Sequence, residues 1–234
     1  MPSPLDNPIW HALHTEHSHF AVDAGLARRY PAAIGPLSGT ADPLPHSLEA
    51  LHALAEPGGR LVLLYEEPPG ATPGWTVEHR GMLSQMVATN DVELSGDLES
   101  GAPQMRLLTV EDVPQMLELA HLTEPGPFRE RTHELGTFFG IFEGERLVAM
   151  AGQRLHLPRF VEVSAVCTHP DVRGRGYARM LMTAAMQEIR NRGKTPFLHV
   201  LPENHGAIRI YESLGFTLRR NLHLTVLKNE TAGN

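Results

Sequence analysis

"VRGRGYARM", Val172 to Met180, sets two glycines and two arginines directly ahead of a run with helical periodicity. A strand-like stretch, Phe160 to Thr168, ends shortly before it. At a helix start the first backbone N–H groups have no intrahelical partner, and the helix dipole adds partial positive charge. Gly174 and Gly176 leave those amides free of Cβ atoms, so the stretch reads either as a solvated turn or as a seat for an anion. Arg173 and Arg175 add charge at its rim. Two familiar phosphate patterns are excluded. A nucleoside-triphosphate loop needs Gly-Lys-Ser/Thr, whereas Gly176 is followed by Tyr177 and Ala178; the dinucleotide fingerprint needs a third glycine where Arg179 stands.

Outward from this stretch the punctuation is regular. "MRLL" (residues 105–108) reads as a short strand, and "TVEDVPQMLELAHL" as a helix with Thr109 as its N-cap. Glu124 to Gly136 is a loop leading into a short helix. Phe138 to Phe142 and Leu147 to Leu157 form a hairpin around Glu143-Gly144. The helix after the glycines runs from about Tyr177 to Arg192, and Gly193 stops it. "PFLHVL" is a strand, "NHGAIRIYESLGF" a short helix ended by Gly215, and "FTLRRNLHLTVLK" a final strand or bent strand pair.

Residues before about 103 have another texture, rich in Pro, Gly and His. Pro45 to Glu56 reads as helix and Arg60 to Glu67 as a buried strand; Trp75 to Ala88 is ambiguous between two strands and a strand with a helix. Asn90 to Gln104 is acidic, turn-rich and the best linker. The expected division is therefore 1–103, an N-terminal α/β region, 104–228, the region carrying the glycine turn, and a tail at 229–234.

Read from its first arginine, Arg173-Gly174-Arg175-Gly176-Tyr177-Ala178 resembles the Arg/Gln-x-x-Gly-x-Gly/Ala signature of the GNAT N-acetyltransferases. "NHGAIRIYESLGF" is similar to that family's second motif, with Asn204, Ala207, Tyr211 and Gly215-Phe216 in register. "VSAVCTHPDVRGRGYA" resembles the branch related to glycine N-acyltransferases. The resemblance runs from Met105 to Lys228, about half the chain. It implies an α/β fold with a mixed sheet, the GNAT acyltransferase fold in the C-terminal half, beside an accessory or degenerate GNAT-like N-terminal half.

The resemblance also implies roles. Acetyl-CoA would be the co-substrate, its pyrophosphate held by the turn from Arg173 to Arg179. Its pantetheine arm would lie as an added strand against main-chain groups of Val166, Cys167 and Thr168, with Asn204 reaching it while capping a helix. Tyr211 would protonate the leaving thiolate, and Glu162 would act as base or activate a water. On a regular strand Glu162 and Ser164 face one side, Val163 and Ala165 the other. Ser164, Phe128 and Arg129 are candidate acceptor contacts, and an acceptor carboxylate paired with Arg129 would suit an amino-acid-like substrate. Cys167, in an apolar strand, reads as a buried thiol rather than a nucleophile.

Composition narrows the partners. The 234 residues carry a formal net charge of -7, which argues against nucleic acid as a partner because phosphate neutralisation needs a basic face. One cysteine excludes an internal disulfide and suits a reducing compartment. No run approaches the ~20 apolar residues that span a bilayer, and "MPSPLDNPIW" lacks a secretory pattern, so a cytoplasmic protein without membrane contact is expected. No metal is expected: His14, Glu16, His17 and His19 lie close in sequence but have no partner cluster at ligand spacing. The expected activity is acetyl transfer from acetyl-CoA to a primary amine of a small molecule, amino-acid-like or polyamine, by a monomer or homodimer. The alternatives are a protein or peptide acceptor, or an acyl-CoA sensor without catalysis.

Overall fold

The structure, a computed structural model, describes residues 3–70, 73–89 and 104–230. In chain order the elements are α1 (Pro8–His14), β1 (Val22–Asp23), β2 (Ala27–Arg29), β3 (Ser38–Thr40), α2 (Pro45–Leu54), β4 (Arg60–Tyr65) and β5 (Trp75–Ala88). There follow β6 (Gln104–Leu107), α3 (Val113–Thr123), β7 (Phe138–Glu143), β8 (Arg146–His156), β9 (Phe160–Thr168) and α4 (Tyr177–Asn191), then β10 (Thr195–Val200), α5 (His205–Ser213) and β11 (Phe216–Asn229). The expected linker at 90–104 lies outside the described residues except for Gln104, as do residues 231–234 of the tail.

One eight-stranded sheet, ordered β4-β11-β5-β10-β9-β8-β7-β6, carries the fold. The boundary expected at 103/104 runs through this sheet. β5, ambiguous in sequence, is one 14-residue strand inserted between β10 and β11, antiparallel to both. β11 is likewise one strand, with a register shift between Leu218 and Arg220. Strands β1 to β3 form a separate small sheet, joined to β4 by a bridge between Leu37 and Val62.

Period-two alternation divides the sheet into two buried faces. On one face the apolar stripe of α4 buries Met182, Ala185, Met186 and Ile189 against Val161, Val163, Leu198 and Phe216, and Leu181 against Ile141, Val148 and Ala149. Side chains of that size contribute roughly 1.5–3 kcal/mol each on burial. On the other face α1 and Tyr30, Ile34 and Leu37 cover Val62, Leu64, Val87, Phe197 and Leu222. Further along that face α3 covers Phe138, Met150, Ala165 and Cys167. The N-terminal region is therefore both part of the sheet and a lid on one face of it.

Candidate active site

β9 and β10 run parallel and pair only from Phe160↔Thr195 to Glu162↔Phe197. Beyond that the two strands part, and among the described residues the β10-facing edge of β9 from Val163 onward has no strand paired to it. At the same point Ala165 adopts φ 52°, left-handed for a non-glycine residue, and the β8–β9 register slips between Met150 and Gly152. An extra residue in one strand re-aims the side chains after it. Val161 and Val163 face α4, and past the bulge Val166 does so too, while Cys167 turns toward α3. The simple alternation expected for Glu162 to Ala165 thus ends at Ser164: Ser164, Ala165 and Val166 all line the same cavity.

That cavity, about 380 Å³, fills the gap between the parted strands. Its lining brings together Val166 and Ser164 of β9 with Asn204 and Tyr211 of the α5 segment, as the sequence predicts. Asn204 caps α5, its Oδ1 accepting from the Ala207 N–H at 3.1 Å, so its amide Nδ2 is the group left for a ligand. Burial pushes the Tyr211 hydroxyl up to about 12, which keeps its proton in place at neutral pH. The Cys167 thiol, buried against α3, is pushed up to about 11 by that burial and is a poor nucleophile.

The glycine turn lies between β9 and α4 and is not itself part of the cavity's lining. Gly174 and Gly176 both hold φ 81°, and a Cβ built on either meets nothing within 4 Å. The space in front of the helix start is open, and Gly176 supplies no side-chain cap to the first N–H groups. The arginines are more tied down than their rim position suggests. Arg175 pairs with Glu143 at 2.7 Å, and the Tyr177 hydroxyl donates to the same Glu143 oxygen. Arg179 donates to Ser213 Oγ of α5 at 2.6 Å, and Arg173 Nε to the Thr168 carbonyl at 3.4 Å.

Glu162 does not stand free at the cleft. Its side chain is 1% exposed; Oε2 accepts from Arg154 Nε, and Oε1 from Arg154 Nη2 and His199 Nδ1, at 2.6–2.8 Å. Burial alone would raise this carboxyl, but the charges and hydrogen bonds of Arg154 and His199 bring it down to about 2. A carboxylate so engaged is a weak proton acceptor, and its surroundings support a positioning role. Arg129, expected near the acceptor, lines a different groove with Arg29 and Arg60. Phe128 packs edge-to-face on Phe138 at 5.8 Å and borders a small recess shared with Arg154 and Ser164.

Sequence reasoning missed three components of the cavity. Arg154 stands in the apolar run of β8, where a lone arginine next to Gln153 was the available signal. Glu124 follows α3 in a left-handed conformation, φ 48°, ahead of Pro125-Gly126-Pro127. The far wall, Leu37, Val62, Leu64 and Leu83, comes from the N-terminal region. The four histidines between residues 11 and 20 form no metal-ligand group among the described residues; His17 hydrogen-bonds Tyr30 and stacks on His156. Among the described residues no helix is long and apolar enough to cross a membrane.

Comparison with known proteins agrees with this geometry. The model of the FR47-like protein family matches residues 138–224, from β7 into β11. The ribosomal protein bS18 alanine N-acetyltransferase of Salmonella typhimurium is 31% identical over 140 residues, 54% of this chain and 90% of that enzyme. A protein from Novosphingobium aromaticivorans, assigned to the GNAT family of acetyltransferases, has a crystal structure matching 98% of this chain and 100% of its own, with 38% identity and TM-score 0.89. The chain belongs to the GNAT family. It is an acyltransferase, and acetyl-CoA is the usual donor of GNAT enzymes. A mycothiol acetyltransferase from Thermomonospora curvata is 35% identical over 82 residues, 33% of this chain and 28% of that protein. The fold expectation is met: this GNAT chain has a mixed sheet between helices, with the parted strands β9 and β10 at its centre.

Proposed function

We propose that this GNAT enzyme moves an acetyl group from acetyl-CoA to a primary amine of a small molecule by direct attack. The observation that carries the choice of a small acceptor is the wall formed by Leu37, Val62, Leu64 and Leu83. These N-terminal residues, in this reading, narrow the cavity on the side where a protein chain would otherwise enter. In this reading residues 1–103 act as an accessory half that completes the acceptor pocket of the catalytic half, 104–228.

Local features of the chain support this reading of the donor site. The open space before Gly174 and Gly176 leaves the α4 amides accessible to a pyrophosphate, and neither glycine has a Cβ to fill it. The unpaired β9 edge at Val166, Cys167 and Thr168 offers main-chain groups to the pantetheine amides, and Asn204 Nδ2 adds a donor. Acetyl-CoA supplies a thioester carbonyl open to attack by an amine. Backbone N–H groups near Cys167 stabilise negative charge on its oxygen. Tyr211 holds a proton for the departing sulfur. Glu162 fixes the orientation of Arg154 and His199 on the cavity wall.

A thiol-release screen with acetyl-CoA against amino acids, polyamines, aminoglycosides and peptides tests the reading. Turnover of a free small amine is the expected result. Turnover confined to peptides would move the assignment to the acceptor class named for the Salmonella relative. Tight acetyl-CoA binding without thiol release from any amine would leave only the sensor alternative.

A further inference from the structure

The acceptor cavity is apolar over most of its wall and charged at few points. Among its lining residues Glu124 is the one carboxylate, and Arg154 and His199 are the basic side chains. Arg154 is held rigidly. Its Nε and Nη2 form a two-pronged bond to Glu162, and Glu162 itself does not line the cavity. The third nitrogen, Nη1, makes no hydrogen bond to a described residue, and it is not among the fully buried unpartnered atoms. The side chain is 14% exposed, and both spaces it borders are this cavity and the recess beneath the Pro125–Thr132 loop. An anion entering the cavity therefore meets a guanidinium edge first, with its countercharge behind.

Two backbone irregularities place this donor there. The β8–β9 register slips between Gln153 and His156, around Arg154, and again between Met150 and Gly152, opposite Ala165. A bulge turns a side chain that would otherwise follow the strand's alternation, and such features gather beside active sites. Glu124, which also lines the cavity, makes no ion pair or side-chain hydrogen bond among the described residues, and its backbone is left-handed without being glycine. A neutral apolar acceptor would cover Arg154 Nη1 without giving it a partner, and a desolvated donor without a partner is costly. Glu124, exposed at the cavity, is a carboxylate free to receive a cation.

We infer that the acceptor is a zwitterion of amino-acid type: its carboxylate docks on Nη1 of Arg154, its ammonium meets Glu124, and an apolar body lies against Leu64 and Leu83. This rests on the acetyl-transfer reading and names its substrate class. The proton balance closes. The acceptor ammonium loses one proton to solvent through the exposed Glu124 side, the neutral nitrogen forms a C–N bond as the C–S bond breaks, and Tyr211 gives its proton to sulfur. The second nitrogen proton restores Tyr211, so one proton is released per turnover.

Matched acceptors that differ only at the carboxylate provide the test, with the wild-type chain and acetyl-CoA. Phenylalanine, phenylalaninamide and phenethylamine make one set; leucine, leucinamide and isoamylamine make another. The acid in each set is expected to exceed its amide and amine by about 10–100-fold in kcat/KM, the range of a charge-assisted hydrogen bond. Arg154→Lys keeps a cation beside Glu162 but loses the fork, and it should reduce that preference to a few-fold by raising KM for the acid alone. Equal turnover of acid, amide and amine overturns the inference and leaves acetyl transfer to small amines standing. Turnover of polyamines with no turnover of either acid overturns it as well. No thiol release from any amine, amino acid or polyamine overturns the acetyl-transfer reading, and the inference with it.

Discussion

His199 Nε2 and Gln85 Nε2 lie 3.1 Å apart across directly paired strands, linking β10 at the cleft to a strand supplied by the N-terminal region. Gln85 is fully buried and also donates to the Leu5 carbonyl at 2.9 Å, while its Oε1 accepts from Arg219 Nη1. Arg219 in turn pairs with Asp6. With Glu162 and Arg154 this makes one polar chain across β11, β5, β10, β9 and β8. The contact with Gln85 occupies one ring nitrogen of His199 and Glu162 the other, so the ring is oriented from both sides.

Gln85→Leu keeps the volume but strips three hydrogen bonds, leaving the His199 ring nitrogen and the Leu5 carbonyl buried and unmatched. The expected cost is about 2–3 kcal/mol, read as a lower urea midpoint with an unchanged m-value. A chain starting at Gln104 should fail more completely, because both sheet neighbours of β11 are N-terminal strands. A cooperative unfolding transition for that shortened chain would show that the C-terminal half is a domain of its own.

The order of legibility follows the range of the interaction. β9, α4 and α5 were readable because their signals are local: a strand of apolar residues, a 3.6-residue stripe, and glycines at 174, 176, 193 and 215 with positive φ. The position of β5 was not, because "WTVEHRGMLSQMVA" interrupts its pattern with Gly81 and charged residues. Its place between β10 and β11 is set by partners more than a hundred residues away. The role of Glu162 also depended on register. Nothing in "FVEVSAVCT" tells that Ala165 will turn left-handed, or that a bulged Arg154 will close on the carboxylate. The glycine turn and α5 were therefore legible, and the cavity wall contributed by β4, β5 and β8 was built by long-range pairing.

Gly174→Ala and Gly176→Ala separate the turn's two demands. Neither Cβ meets protein atoms, so the structural cost is the strain of φ 81° in a residue with a side chain, about 1 kcal/mol. Access of an anion to the amides should suffer more. Each variant is expected to raise the Kd for acetyl-CoA roughly tenfold by titration calorimetry while leaving the melting temperature within a few degrees. Unchanged donor affinity in both would move the pyrophosphate away from this turn.

Tyr211→Phe removes a proton held at a hydroxyl raised to about 12 and leaves the packing on Phe216, a T-shaped contact at 6.1 Å. As a lost general acid it should lower kcat by about 10²-fold, with donor affinity unchanged. A variant with wild-type kcat would return Tyr211 to a packing role.

Glu124 offers a test in which stability and function move in opposite directions. Its left-handed backbone at the end of α3 is the position glycine favours, so Glu124→Gly should relieve about 1 kcal/mol and raise the melting temperature by a few degrees. If the carboxylate receives the acceptor ammonium, the same variant should lose about tenfold in kcat/KM for an amino acid. A glycine variant both more stable and equally active would mark Glu124 as strain without function.

Acid should destabilise the fold from near neutrality, through histidines rather than carboxylates. His17 is lowered to about 3, first by burial and then by the charge of His156; His156 is lowered to about 4 by burial and then by Lys194 and Arg192. In the unfolded chain both titrate near 6.5. Between 6.5 and 4 the unfolded state binds more protons at each, so stability falls as pH falls, by about 1.4 kcal/mol per pH unit per histidine. The His17 contribution continues to about 3. Glu162, lowered to about 2, stabilises the fold above its ordinary range near 4.5 and loses that contribution as pH falls through 2. His156 Nε2 is buried without a partner among the described residues, so His156→Phe removes a titration without breaking a bond to any of them. Melting temperature measured from pH 8 to 4 should decline below 6.5 in the wild type and decline about half as steeply in that variant. A wild-type profile flat down to pH 5 would mean that His17 and His156 take up protons inside the fold as readily as outside it.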